Sequence, residues 1–397
     1  MNIYNKLTLS NNSDYKLSYT SKDNICFRCG NEFIDTVCVN CSELGQVSSE
    51  DIFYQDTYSL YPINYIDQEF NISFTDLQLG ASQFLLNSYK TKEDSLIWAV
   101  CGAGKTEITF NLIKEVIKEN KYVCFAIPRV DIVFEIYERI KEVFNTEVSI
   151  MCGDKKDNLN AQIYIMTTNQ ILKFNNCFSL IIIDEVDAFP YEHNIKYDYA
   201  VNRAKRDDGV ITYLTSTPSS HMLSKSLNTF TINRRWHGYD LPVPILKKVH
   251  INLFNNNLIP LTLYSYLNHR KLPCILFISN IEFGKVISNV LSKYGYKNLF
   301  VSSKEEKRQE YINIFKDNKV DILISTAILE RGVTFNNIDV IVLDSDSTLY
   351  NVASLVQISG RVGRKKEYQE GKVYFYYNYI NNTINTSIKQ IKYMNDR

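Results

Sequence analysis

The segment Ala99-Val100-Cys101-Gly102-Ala103-Gly104-Lys105-Thr106 constrains this chain more than any other. It fits only where a buried strand turns into a helix. An apolar run over 95–100 leads in and a helical pattern over 106–117 leads out, the context that identifies a phosphate-binding loop. Ala99 stands where the commonest form of the pattern has Gly. Gly102 and Gly104 let backbone N–H groups converge on phosphate oxygens, and the helix N-terminus adds favourable potential. Lys105 is placed to reach the β- and γ-phosphates of ATP, and the Thr106 hydroxyl to ligate Mg2+.

Two further motifs follow in order. Ile181-Ile182-Ile183 is a β-branched run, so a buried strand is expected to end at Asp184 and deliver Asp184-Glu185-Val186-Asp187 to its carboxyl end. Open α/β sheets bind ligands at that end. Asp184 is expected to hold Mg2+, Glu185 to orient or deprotonate the attacking water, and Asp187 to contact a second lobe. Near the C-terminus comes Gln357-Ile358-Ser359-Gly360-Arg361-Val362-Gly363-Arg364. The guanidinium groups of Arg361 and Arg364 can each pair bidentately with phosphate oxygens. Supplied from a facing lobe, they would make hydrolysis depend on closure. Alone, the acidic turn or the basic loop would be unremarked surface; together with the phosphate loop they describe ATP hydrolysis in a cleft between two lobes.

The pattern of apolar runs agrees. Strands are expected over 96–100, 122–127, 162–166, 180–183 and 210–214, with a helix over 130–143. A span holding Pro242 and Pro244 then reads as a linker. A second set follows, with strands over 274–278, 298–301, 320–325, 339–343 and 372–377 and helices over 282–291 and 304–315. The expected fold is α/β, with two tandem parallel-sheet lobes and an N-terminal four-Cys zinc-binding module. The expected boundaries are 1–70 for a polar, irregular region carrying the zinc module, 71–235 for an ATP-binding lobe, 236–247 for the linker and 248–397 for the second lobe.

Cys26-Phe27-Arg28-Cys29 and Cys38-Val39-Asn40-Cys41 form two C-x2-C pairs with a short spacer. Each pair can sit on a tight turn with both thiolates facing one ion, and four sulfurs suit Zn2+. Four Cys ligands leave no open position for water, so Cys26, Cys29, Cys38 and Cys41 are read as a structural site that could serve DNA or a protein partner. The other five cysteines, Cys101, Cys124, Cys152, Cys177 and Cys274, have no such pairing, and those in apolar runs are read as core thiols.

The chain has 397 residues with 44 basic and 44 acidic side chains, so its formal net charge is zero. That argues against a nonspecific basic binder, and any nucleic-acid contact must come from a local groove. No apolar run approaches the roughly 18 residues of a membrane span, and Met1-Asn2-Ile3-Tyr4 opens a polar segment, so a cytoplasmic location is expected.

The motif order resembles that of superfamily 2 helicases and translocases, which implies that the two tandem parallel-sheet lobes are RecA-like. Thr215-Ser216-Thr217 follows a strand as that superfamily's third motif does, and Ser325-Thr326-Ala327-Ile328-Leu329-Glu330-Arg331-Gly332-Val333 is similar to its fifth. Pro128-Arg129 and Thr167-Thr168-Asn169-Gln170 resemble its DNA-contacting motifs. The resemblance implies that Gln78 reads the adenine edge, that Gly332 lies at the nucleotide, and that Arg129, Thr167, Thr168 and Thr326 grip a DNA backbone.

Closer still is the ComFA family of competence ATPases. It is similar in the four-Cys array ahead of the motor, in Asp184-Glu185-Val186-Asp187-Ala188-Phe189-Pro190, and in Trp236-His237-Gly238 followed by Leu241-Pro242-Val243-Pro244. Cys101 departs from the Thr common there, with little loss of activity expected. That family implies an ATP- and Mg2+-dependent translocase drawing single-stranded DNA into the cytoplasm. Its partners would be ComEC and ComFC at the membrane channel, oligomer formation being open. The primosomal replication-restart helicases, which unwind duplex, are the second resemblance.

Overall fold

The computed structural model describes residues 3–8, 15–16, 21–22, 24–51, 54–59, 72–144, 146–153, 155–156, 161–192, 194–326, 329, 333, 335–364, 366–368 and 370–396. The chain forms two compact units, Met1–Ala99 with Gly104–Ile232, and Val100–Ala103 with Asn233–Arg397.

The first unit is built on an eight-stranded sheet: β1 Ser95–Ala99, β2 Val123–Ile127, β3 Val148–Cys152, β4 Lys155–Lys156, β5 Ile163–Thr167, β6 Phe178–Asp184, β7 Lys205–Thr215 and β8 Asn228–Ile232. Their order is β4-β3-β5-β2-β6-β7-β1-β8, and every pairing is parallel except the edge pair β3–β4. The central strands are buried along their length, as parallel strands covered on both faces must be. Its helices are α1 Asp76–Thr91, α2 Phe110–Lys118, α3 Val130–Val143, α4 Ile195–Ala204 and the single turn α5 Ser220–Ser224. A capping box starts α1: Gln78 N donates to Thr75 Oγ1 over 3.3 Å, and Thr75 N donates to Gln78 Oε1 over 3.0 Å.

The second unit carries a six-stranded, all-parallel sheet of β9 Ile245–Lys248, β10 Cys274–Phe277, β11 Asn298–Val301, β12 Ile322–Ser325, β13 Asp339–Val342 and β14 Val373–Tyr377, in the order β9-β14-β13-β10-β12-β11. Alternate residues of β10 face opposite cores. Ile275 and Phe277 pack with Leu323, Val340 and Phe375, while Cys274 and Leu276 pack with Ile322, Ile324 and Ile341. Its helices are α6 Leu261–His269, α7 Ile281–Lys293, α8 Arg308–Lys316, α9 Val352–Ser359 and α10 Asn382–Asn395.

Three expectations change. The N-terminal region is not irregular throughout: Ile3–Thr8 pairs antiparallel with Tyr54–Ser59, which also pairs with Tyr15–Lys16. The expected linker over 236–247 runs into β9, and Leu241 N and O bond the Asn395 side chain of α10, each over 2.9 Å. The helix expected from 106 begins as a 3-10 turn, Glu107–Thr109, before α2.

Candidate active site

In the first unit, Gly104 has a φ of +78°. A Cβ there would lie 2.4 Å from Gln78 Nε2, so glycine is required by both backbone and space. Gln78, buried in α1, therefore turns its amide nitrogen to the loop while its oxygen closes the helix cap. Lys105 Nζ bonds the Ala99 carbonyl at the end of β1 over 3.4 Å. Thr106 is buried just before the 3-10 turn.

Asp184 ends β6, and its Oδ1 accepts from Glu185 N over 2.8 Å. Burial pushes its carboxyl up to about 7; the nearby Lys105 charge pulls it back down and Glu185 raises it further. A buried carboxyl of this kind is an oxygen ligand suited to a divalent cation, which would restore its charge. Glu185 takes a left-handed φ of 54°, unusual for a non-glycine residue and frequent at working sites. Asp187 is buried, and its two oxygens accept from Thr215 Oγ1 over 2.7 Å and Thr217 Oγ1 over 2.5 Å. These bonds lock the acidic motif to the end of β7.

The second unit takes in the first turn of the phosphate loop. Gly102 has a φ of +83°, and its carbonyl accepts from Trp236 N over 3.0 Å. Cys101 Sγ donates to Gln357 Oε1 over 3.0 Å, and a Cβ on Gly360 would meet Cys101 Cβ at 2.6 Å. Arg361 is buried and donates to the Val333 carbonyl. Arg364 lies close enough to Arg235 for their charges to repel. Arg235 is an addition that sequence reading missed. It is buried, held down to about 10 first by burial, and donates to Val362 O over 2.6 Å and Gly363 O over 2.5 Å. Gly332 lies outside the described residues.

Of the expected DNA contacts, Thr167 ends β5 and pairs in register with Ile127 at the end of the adjacent β2, two residues before Arg129. Arg129 forms a 3.1 Å ion pair with Asp131. Thr168 opens the 3-10 helix Thr168–Lys173, and its side chain is buried rather than presented at the surface. Thr326 follows β12 in the second unit, where its carbonyl accepts from Ser325 Oγ over 2.9 Å.

The four module cysteines are buried, and their sulfurs lie within 4.8 Å of one another. Sulfur separations are 3.8 Å for Cys26–Cys41, 3.4 Å for Cys29–Cys38 and 3.6 Å for Cys38–Cys41. Tetrahedral Zn–S bonds of about 2.3 Å place sulfurs about 3.8 Å apart, so the cluster fits Zn2+. The hydrogen bond between Cys26 and Cys29 pushes the Cys26 thiol up and the Cys29 thiol down. All nine cysteines are free of disulfides.

Two parallel RecA-like sheets with these motifs define an ATP-hydrolysing superfamily 2 helicase. Residues 71–220 match the model described as "Type III restriction enzyme, res subunit", and residues 256–366 match "Helicase conserved C-terminal domain". The competence protein ComFA of Streptococcus pneumoniae is 33% identical over 93% of this chain and 90% of its own length. ComFA of Bacillus subtilis is 32% identical over 90% of this chain and 80% of its own. Replication restart protein PriA of Rickettsia prowazekii is 24% identical over 88% of this chain and 69% of its own. Among solved structures, S. cerevisiae Dbp5 bound to RNA and ADP BeF3 superposes with a TM-score of 0.56, covering 81% of this chain and 92% of that one at 13% identity, a likeness of fold. The chain belongs to the ComFA family, as a DNA helicase or translocase that binds nucleic acid. No helix among the described residues is long and apolar enough to cross a membrane.

Proposed function

We propose that this protein is an ATP-driven translocase of single-stranded DNA that powers uptake of transforming DNA into the cytoplasm during natural competence. The observation that carries the reading is 33% identity to a competence protein along nearly the whole of both chains.

In this reading Gly102, Gly104 and Lys105 hold the ATP phosphates, Gln78 reads adenine and Gly332 lies at the nucleotide. Thr106 and Asp184 hold Mg2+, which when bound neutralises phosphate charge. Glu185 orients or deprotonates the attacking water, and Arg361 and Arg364 stabilise charge on the departing phosphate. Arg129, Thr167, Thr168 and Thr326 belong to the segments that grip the sugar-phosphate backbone. Such a grip has little sequence preference and strong salt dependence. Cys26, Cys29, Cys38 and Cys41 hold a structural Zn2+. The work is done on the cytoplasmic side, at the inner face of the membrane through partners such as ComEC and ComFC.

The test is steady-state ATPase activity with no nucleic acid, single-stranded DNA, duplex DNA and RNA, with Glu185→Gln as the blank. Stimulation by single-stranded DNA that the variant lacks supports the reading. Equal activity in all four, or activity matching the blank, sinks it. Displacement of a strand from forked duplex would instead favour a restart-type helicase.

A further inference from the structure

The four-Cys module is not a free appendage. Its cysteines, Phe33 and Val47 belong to the same buried core as Tyr197, Ala200, Val201 and Ala204 of α4 and the strand residues Tyr164, Ile181 and Ile211. The Tyr199 ring of α4 stands 2.5 Å from where a Cβ on Gly30 would be, directly after Cys29. Two cations of α4, Lys196 buried and Arg203 half-buried, bond the knuckle turns. Lys196 Nζ donates to Asn40 O over 3.0 Å, between Cys38 and Cys41. Arg203 donates to Phe27 O and Arg28 O over 2.5 Å each, between Cys26 and Cys29.

Both attachments continue to one target. Glu43, two residues past Cys41, accepts from Lys196 Nζ over 2.8 Å on one oxygen and from Asn169 Nδ2 over 2.9 Å on the other. Asn169 is fixed in turn by the Tyr197 hydroxyl. The remaining donors of Arg203 reach Leu172 O over 2.7 Å and Phe174 O over 3.1 Å. The 3-10 helix Thr168–Lys173 is thus held near its start through Glu43 and at its end through Arg203.

We propose that the metal module is a brace for this 3-10 helix, and that Glu43 and Arg203 are positioning residues through which the zinc site sets affinity for single-stranded DNA. The proposal rests on the reading above that the 167–170 segment grips DNA. A short 3-10 helix has poor internal hydrogen bonding and needs outside support to keep one conformation. Zinc supplies it at a distance, because a tetrathiolate site fixes both knuckle turns and therefore the carbonyls that Lys196 and Arg203 bond.

The experiment uses the full chain as wild type, Glu43→Ala, Glu43→Gln and chelator-stripped wild type. Four quantities are read: zinc released on denaturation, hydrogen exchange over 168–173, anisotropy of a fluorescent single-stranded oligonucleotide, and ATPase without DNA. Glu43→Ala is expected to keep its zinc and its DNA-free ATPase, to exchange faster over 168–173, and to bind the oligonucleotide roughly five- to tenfold more weakly. Glu43→Gln, which keeps an acceptor for Asn169, should recover part of that loss, and stripped wild type should show the same two changes. Unchanged exchange in Glu43→Ala and stripped protein, or loss of zinc from Glu43→Ala, overturns the brace. Faster exchange with unchanged oligonucleotide affinity overturns its role in DNA affinity. Faster exchange where wild type itself binds no DNA keeps the brace and refutes the translocase reading instead.

Discussion

Thr217 Oγ1 donates to Asp187 Oδ2 over 2.5 Å, joining the acidic motif to the end of β7 with both side chains buried. Removing the donor takes a short hydrogen bond from a buried carboxylate. Thr217→Val should lower stability by about 1–3 kcal/mol, read as a shifted urea midpoint at unchanged slope. An unchanged midpoint would show that the remaining partners of Asp187 suffice without Thr217.

The roles assigned to Lys105 and Glu185 separate binding from chemistry. Lys105→Ala should weaken binding of a fluorescent ATP analogue and abolish turnover. Glu185→Gln should bind the analogue nearly as well as wild type while kcat falls by about 100-fold or more. Equal loss of binding in both would place Glu185 among the groups that hold nucleotide rather than those that act on water.

Arg203 sits half-buried with four main-chain carbonyls around it, on Phe27, Arg28, Leu172 and Phe174. Arg203→Met keeps most of the volume but removes every donor. Zinc should then leave the folded protein faster under excess chelator, at least several-fold, because the first knuckle turn loses its anchor. A release rate equal to wild type would mean that the knuckles hold their geometry unaided.

Asp344 supplies a pH dependence. Burial pushes its carboxyl up to about 6 from an ordinary 3.8, although Ser279 N donates to both its oxygens over 3.0 and 3.2 Å. Between those values the folded protein holds a proton that the unfolded chain has lost. Its contribution to stability is therefore greatest at low pH and declines as pH rises from about 4 to about 6. Asp344→Asn should flatten the stability–pH curve across that window, measured by denaturation at fixed ionic strength. A curve of unchanged slope would assign the dependence to other groups.

Much of the fold was legible because its signals are local. The apolar run ahead of Gly102, the β-branched residues before Asp184 and the glycines of the loop each reflect one short stretch of backbone. Edge strands were not legible. β8, Asn-Thr-Phe-Thr-Ile, is partly exposed and owes its form to pairing with β1. Ile3–Thr8 finds its partner some fifty residues on, at Tyr54–Ser59, across the zinc module.

By itself, then, the sequence determined the two parallel sheets, the order of the three motifs and the four thiols of the metal site, because strand burial, loop geometry and ligand spacing are written within a few residues. Only the tertiary structure decided what those parts touch. Glu43 meets Asn169 from 126 residues away, Lys196 meets Asn40 from 156, and Cys101 meets Gln357 from 256. A hydrogen bond is made by proximity and angle, and no local pattern encodes either for residues so far apart along the chain. For the same reason, the sequence could name Thr168 as a contact, but only packing revealed that its side chain is buried.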